Sequence, residues 1–126
     1  MQRIRVASLN ISGLTFPPFL DARTRAIAEG FEKESCDIVC FQEVHTYASL
    51  LVLKKYMVSY RHIKFQKSYF GPRAGLVIFS KFPLRSTRFF RVRRGSKKGI
   101  LIAETDETTV VNLHLSANKD GDWSSH

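Results

Sequence analysis

The hydrophobic positions of this chain switch between two periods, and the switches outline its elements. Ile4–Asn10 alternates, with Ile4, Val6 and Ser8 leading to Asn10 on one face and Ala7 and Leu9 on the other. Alternation marks a half-buried strand, here one that ends at Asn10 before a Ser-Gly turn. Thr15-Phe16-Pro17-Pro18 reads as loop, because proline lacks a donor and disfavours helix in the residue before it. Asp21 then reads as an N-cap, and Arg23–Ser35 takes a helical spacing through Ala26, Ile27 and Phe31. The run CDIVCFQEVH, Cys36–His45, breaks that period. It is continuously apolar or small apart from Asp37 until it reaches Gln42-Glu43. Such a run predicts a strand over Cys36–Phe41 buried on both faces.

Helical spacing returns over Thr46–Met57, with Leu50, Leu53 and Met57 on one stripe and Thr46 as its cap. The remainder reads as strands. A short one lies within Val58–Phe65, and the loop Ser68–Ala74, with Gly71-Pro72, leads into the apolar strand Gly75–Ser80. Lys81-Phe82-Pro83 exits into the basic strand Leu84–Arg94, Gly95–Gly99 turns, and Ile100–Glu104 pairs with Thr109–Leu115 as a hairpin across Thr105–Thr108. No repeat, low-complexity tract or linker interrupts the order. Strand–helix alternation followed by consecutive strands suits a layered α/β domain, one mixed sheet with helices near Arg23–Lys33 and Ala48–Lys55 on one face. Ile78, Ile102 and Val110 are then expected on an uncovered opposite face, and an uncovered apolar face leads to self-association.

Length changes little in this picture: 126 residues make about one domain. Charge changes more. A net charge of +9 favours anionic partners without choosing among them. No stretch approaches a membrane span and the N-terminus has no apolar leader core, which points to the cytoplasm. Cys36 and Cys40 sit about 13 Å apart on an extended strand, too far for a disulfide, and they read as buried thiols.

Candidate chemistry gathers where strands end. Asn10 closes the first, Glu43 follows the second, and Asn112 and His114 share one face of the last. A carboxylate ending a buried strand should carry a raised pKa or a cationic partner. An amide, a carboxylate and an imidazole on one rim are what a hydrated hard cation beside a phosphate requires. The basic cluster Arg85, Arg88, Arg91, Arg93, Arg94, Lys97 and Lys98 suits either a phosphate-backbone surface or a solvated edge strand that resists pairing, with Phe89 and Phe90 both placed towards the core.

RVASLNI, DIVCFQEVH, GLVIFSKFPL and TVVNLHLSANKDGDWS, in that order, resemble the endonuclease/exonuclease/phosphatase superfamily, which includes deoxyribonuclease I-like nucleases and neutral sphingomyelinases. The resemblance implies half of a four-layer α/β sandwich and a phosphoester hydrolase using magnesium or manganese. It implies Glu43 and Asn10 at the metal, Asn10 and His114 at the reacting phosphate, and Asn112, His114 and Asn118 binding phosphate or substrate, either nucleic acid or a phospholipid head group. The superfamily's later D-x-N and S-D-H motifs have no match; Asp120-Gly121-Asp122 and Ser124-Ser125-His126 do not fit them. The resemblance therefore covers the N-terminal portion of one domain over residues 1–126. The alternative is a non-catalytic anion- or nucleic-acid-binding module built on the same sheet.

Overall fold

The computed structural model describes residues 3–12, 19–94 and 96–115. Its centre is β2, Ile38–Gln42, buried at all five positions. β1, Val6–Asn10, runs parallel to β2, and β4, Val77–Ser80, runs antiparallel on its other side. The short β3, His62–Lys64, forms the far edge, giving the order β1-β2-β4-β3. β5, Ser86–Arg91, β6, Gly99–Glu104, and β7, Thr109–Leu113, make a separate antiparallel sheet in sequence order. The expected single sheet is thus two. Alternation could not show this, because it reports that a strand has a buried face and not which sheet it joins.

Two helices cover one face of the mixed sheet. α2, Tyr47–Tyr56, starts as its sequence demands: Thr46 is extended, and its Oγ1 accepts from the Ser49 backbone N–H at 3.1 Å. α1 spans Phe19–Glu34, so Asp21 lies inside the helix instead of capping it. A carboxylate is favoured throughout the first turn by the free N–H groups there, and the residue type alone does not fix the boundary. Val39, Phe41, Val77 and Phe79 face these helices and pack with Ala28, Leu50, Leu53 and Met57. Phe41 meets Phe31 and Phe79 edge-on at 5.5 and 5.4 Å between centroids.

The opposite face of β2 and β4 is covered as well. Ile38, Cys40, Leu76 and Ile78 pack against Leu101, Ala103 and Val110 of the second sheet. Ile78 and Val110 are therefore inside a sheet-on-sheet core, and only Ile102 stays on the outer side, beside Val111 in register. What remains open is the second sheet's outer face, where Phe90 and Val111 are each about half exposed. Each large side chain in the two cores contributes roughly 1.5–3 kcal/mol by leaving water. β2 feeds both cores, and this is why its sequence is apolar without alternation. Cys36 and Cys40 are free and buried, and burial pushes the Cys40 thiol up to about 11.

Candidate active site at the converging strand ends

The parallel pairing of β1 with β2 sets Asn10 against Gln42, so both strands deliver their polar ends to one rim. Gln42 turns its side chain towards the second sheet. Its Nε2 donates to Ser8 Oγ at 3.0 Å and to Asn112 Oδ1 at 2.8 Å. Asn112 in turn donates through Nδ2 to the carbonyls of Phe41, 2.9 Å, and Val77, 3.0 Å. Asn112 is almost fully buried and bonds the second sheet to the first across the interface. Both of its hydrogens are engaged, so in this arrangement it has no donor to offer a phosphate.

This clamp brings β7 against the end of β2, and His114 follows two residues later. His114 is partly buried. Burial first, then the Lys98 ammonium, hold its pKa below the ordinary 6.5, with His45 acting in the same direction and the nearby Glu43 carboxylate opposing them. Lys98 Nζ lies 3.3 Å from Nδ1 and 3.5 Å from Nε2. An ammonium only donates, so whichever ring nitrogen it meets must accept, and the contact favours the neutral imidazole. Lys98 is therefore not the surface cation its sequence context suggested.

A direct measurement follows. The His114 ring proton followed by NMR titrates with a midpoint below 6.5, and Lys98→Met raises that midpoint by removing one of the charges that lower it. A depressed folded-state pKa means that the unfolded chain binds the proton more readily. This contribution is thus absent above the unfolded pKa and destabilises as pH falls through 6.5 towards the folded value. A midpoint at or above 6.5 that does not respond to Lys98→Met would remove the pairing from the argument.

Glu43 closes the rim in an unusual conformation, with φ at +61°. A non-glycine residue there costs about 1–2 kcal/mol. A turn packs closely on this residue. The 3₁₀ turn Arg73–Gly75 lies against β2's end, and Gly75 accepts from the Val44 backbone N–H at 2.9 Å. Gly75 has φ +69°, and a Cβ on it would lie 2.9 Å from Glu43 Cα, so only glycine fits. The Glu43 carboxylate is partly exposed and makes no hydrogen bond or ion pair among the described residues. The cationic partner expected for it is not among them, since Lys98 is directed at His114.

Asn10 sits beside this carboxylate's strand but is turned on itself: its Oδ1 accepts from the Ser12 backbone N–H at 2.8 Å, and its Nδ2 has no acceptor among the described residues. Asn118 lies outside the described residues. Among the described residues no group of three or more His, Cys, Asp and Glu side chains is arranged to hold a metal. Glu43 alone still fits a magnesium ion's preference for one or two carboxylates, with water and substrate phosphate completing the shell.

An open cleft of about 590 Å³ leads from His114 along the surface. His45, Arg73, Arg91, Lys97 and Lys98 supply its polar lining, and Phe70 and Phe89 its aromatic one. Sequence reasoning passed over His45, although it ends the same run as Glu43, and gave no role to Arg73. The basic cluster it treated as one is divided by the pleat. Arg88 projects on the outer face, 4.0 Å from Glu104, while Arg91 lines the cleft. Arg93 and Arg94 are exposed on the turn after β5. Phe89 packs on the inter-sheet core and its neighbour Phe90 is 48% exposed, since adjacent strand residues cannot share a face.

A helix-covered mixed sheet packed on a second, antiparallel sheet frames this rim, and the family to which the fold belongs is shown by the sequence itself. The model of the Endonuclease/Exonuclease/phosphatase family matches residues 7–124. The chain belongs to that family. Solved structures share its fold: humanized D. rerio TDP2 carrying 14 mutations, at 21% identity and TM-score 0.72, covers 92% of this chain and is itself covered over 49%. Sphingomyelinase C from Streptomyces griseocarneus matches at 16% identity and TM-score 0.71, with coverages of 96% and 52%. A β-hairpin deletion mutant of beta toxin from Staphylococcus aureus matches at 17% and 0.70, with coverages of 94% and 53%. The chain thus spans about half the length of these family structures. No curated protein matches the sequence. No helix among the described residues is long and apolar enough to cross a membrane.

Proposed function

We propose that the chain is the N-terminal portion of a divalent-metal-dependent phosphodiesterase domain, with Glu43 as its metal ligand. The observation that carries this is Glu43 itself: a carboxylate held at positive φ, without a described partner, at the rim where β1, β2 and β7 end. Backbone strain kept at a polar, unpaired position is characteristic of functional sites. Magnesium or manganese held there supplies Lewis acidity towards a phosphate oxygen.

The chain's own residues do the rest of the positioning. His114, its pKa held below the ordinary value, is neutral at neutral pH and offers its ring N–H to a phosphate oxygen. Asn10 offers Nδ2, an orientation that suits a phosphate oxygen better than the metal. Asn112 acts indirectly by fixing β7, and with it His114, against β2. Among the described residues none is placed to take the proton from the attacking water, and loss of a general base lowers rates by about 10²–10⁴-fold. The remaining half of the domain would supply it, and would cover the outer sheet face around Phe90 and Val111, through which the chain alone would otherwise self-associate.

The cations that line the cleft, Arg73, Arg91 and Lys97, also suit a second reading, a non-catalytic anion-binding module. Assaying the chain with magnesium on plasmid DNA, RNA and a chromogenic phosphodiester separates the two. The expected result is weak magnesium binding that Glu43→Ala abolishes, negligible turnover alone, and turnover once the natural downstream sequence is joined. Continued inactivity of the joined protein would sink the hydrolase reading. Robust turnover by the chain alone, lost in Glu43→Ala, would refute the half-domain part.

A further inference from the structure

The cleft beside His114 combines two features that the phosphodiesterase site does not use. One is a row of cations. Arg91 and Lys97 are exposed along it, and Arg73 lines it with its Nε buried and without a hydrogen-bond partner among the described residues. A buried guanidinium nitrogen left unpaired is uncommon, because an unmade hydrogen bond at a charged group is expensive. Arg73 nonetheless lines the cleft, which places its positive charge beside any phosphate held there. The other feature is aromatic. Phe70 is 77% exposed although it lines the same cleft, and Tyr69, 87% exposed, braces it edge-on at 4.7 Å between centroids.

The segment carrying this aromatic surface is anchored. Tyr47, at the start of α2, donates its backbone N–H to the Phe70 carbonyl at 3.2 Å, and its hydroxyl donates to the Ser68 carbonyl at 2.6 Å while accepting from the Ser68 N–H at 3.1 Å. Gly71 packs so closely on His45 that a Cβ would lie 2.4 Å from its carbonyl oxygen. An exposed ring on a fixed backbone loses little freedom when something stacks on it.

From these observations we propose that the cleft binds an unpaired nucleic-acid strand, a base stacking on Phe70 while its flanking phosphates meet Arg73, Arg91 and Lys97. The proposal rests on the phosphodiesterase reading for what happens at Glu43 and His114, and adds the substrate class. Stacking aromatics beside backbone cations are the shared equipment of single-strand binders. A duplex keeps its base faces covered and gives Phe70 nothing to stack on. A membrane surface would call for the ring to project away from the cations, whereas Phe70 shares their cleft.

The test is binding, measured without metal so that failed hydrolysis cannot imitate it. Fluorescence anisotropy compares a labelled oligothymidylate with a duplex of equal length, and co-sedimentation follows vesicles containing phosphatidylserine. The expected result is tighter binding of the single strand, weakened about 5- to 150-fold by Phe70→Ala and kept by Phe70→Trp. Lys97→Ala lowers the slope of log affinity against log salt by about 0.7. Phe70 is exposed and its backbone carbonyl makes the anchoring bond, so the substitution leaves the fold intact. Single-strand affinity indifferent to Phe70→Ala, or duplex or vesicle binding equal to it and equally dependent on Phe70, would overturn the proposal. Strand binding with these dependences stands even if the domain proves inactive.

Discussion

Asn112→Ala lowers the unfolding free energy by about 3 kcal/mol, which at this chain length shifts the melting temperature by roughly 10 °C. The size follows from the three bonds that the amide makes at once, to the carbonyls of Phe41 and Val77 and from Gln42 Nε2. Each bond is worth about 1 kcal/mol net. Removing the side chain also leaves buried partners on the first sheet without water to replace it. Urea unfolding monitored by circular dichroism measures the loss. Gln42→Ala should be less severe and strongly non-additive with it, because the two residues share one bond and one interface. A loss under about 1 kcal/mol would show that apolar packing of Ala103, Leu101 and Val110 alone holds the sheets together.

The second prediction separates strain from chemistry at one position. Glu43→Gly removes the penalty of positive φ, partly offset by glycine's greater freedom in the unfolded chain, for a net gain of about 0.5–1 kcal/mol. Glu43→Gln keeps the strain and the shape but removes the charge, leaving stability nearly unchanged. Both variants bind manganese more than about tenfold more weakly, since this carboxylate is the anionic part of the donor set. Paramagnetic resonance titration of manganese and chemical denaturation together give the two readouts. A glycine variant that is less stable than the wild type would mean that the glutamate side chain makes structural contacts, and the functional explanation of its strain would fail. Unaltered manganese affinity in Glu43→Gln would move the metal elsewhere.

Much of this protein is determined by local sequence. The period of the apolar residues sets the strands and helices, because a strand or helix must bury whatever face it makes apolar. Thr46 caps α2, and Thr105–Thr108 closes the β6–β7 hairpin, through bonds between residues at most three apart. Asn10, Glu43 and His114 were legible as polar residues ending apolar runs, and the family resemblance could be read from the same segments. What the sequence did not carry is every relation set by distance in space. Two sheets and not one, the cover over Ile78 and Val110, and the inward turn of Asn112 towards carbonyls 35 and 71 residues away all depend on which strands meet. The positive φ of Glu43 goes with the close packing of Gly75 upon it, and the depressed pKa of His114 comes from its burial and from Lys98. Periodicity records that a face must be buried, while the identity of the partner is settled only when the chain closes on itself.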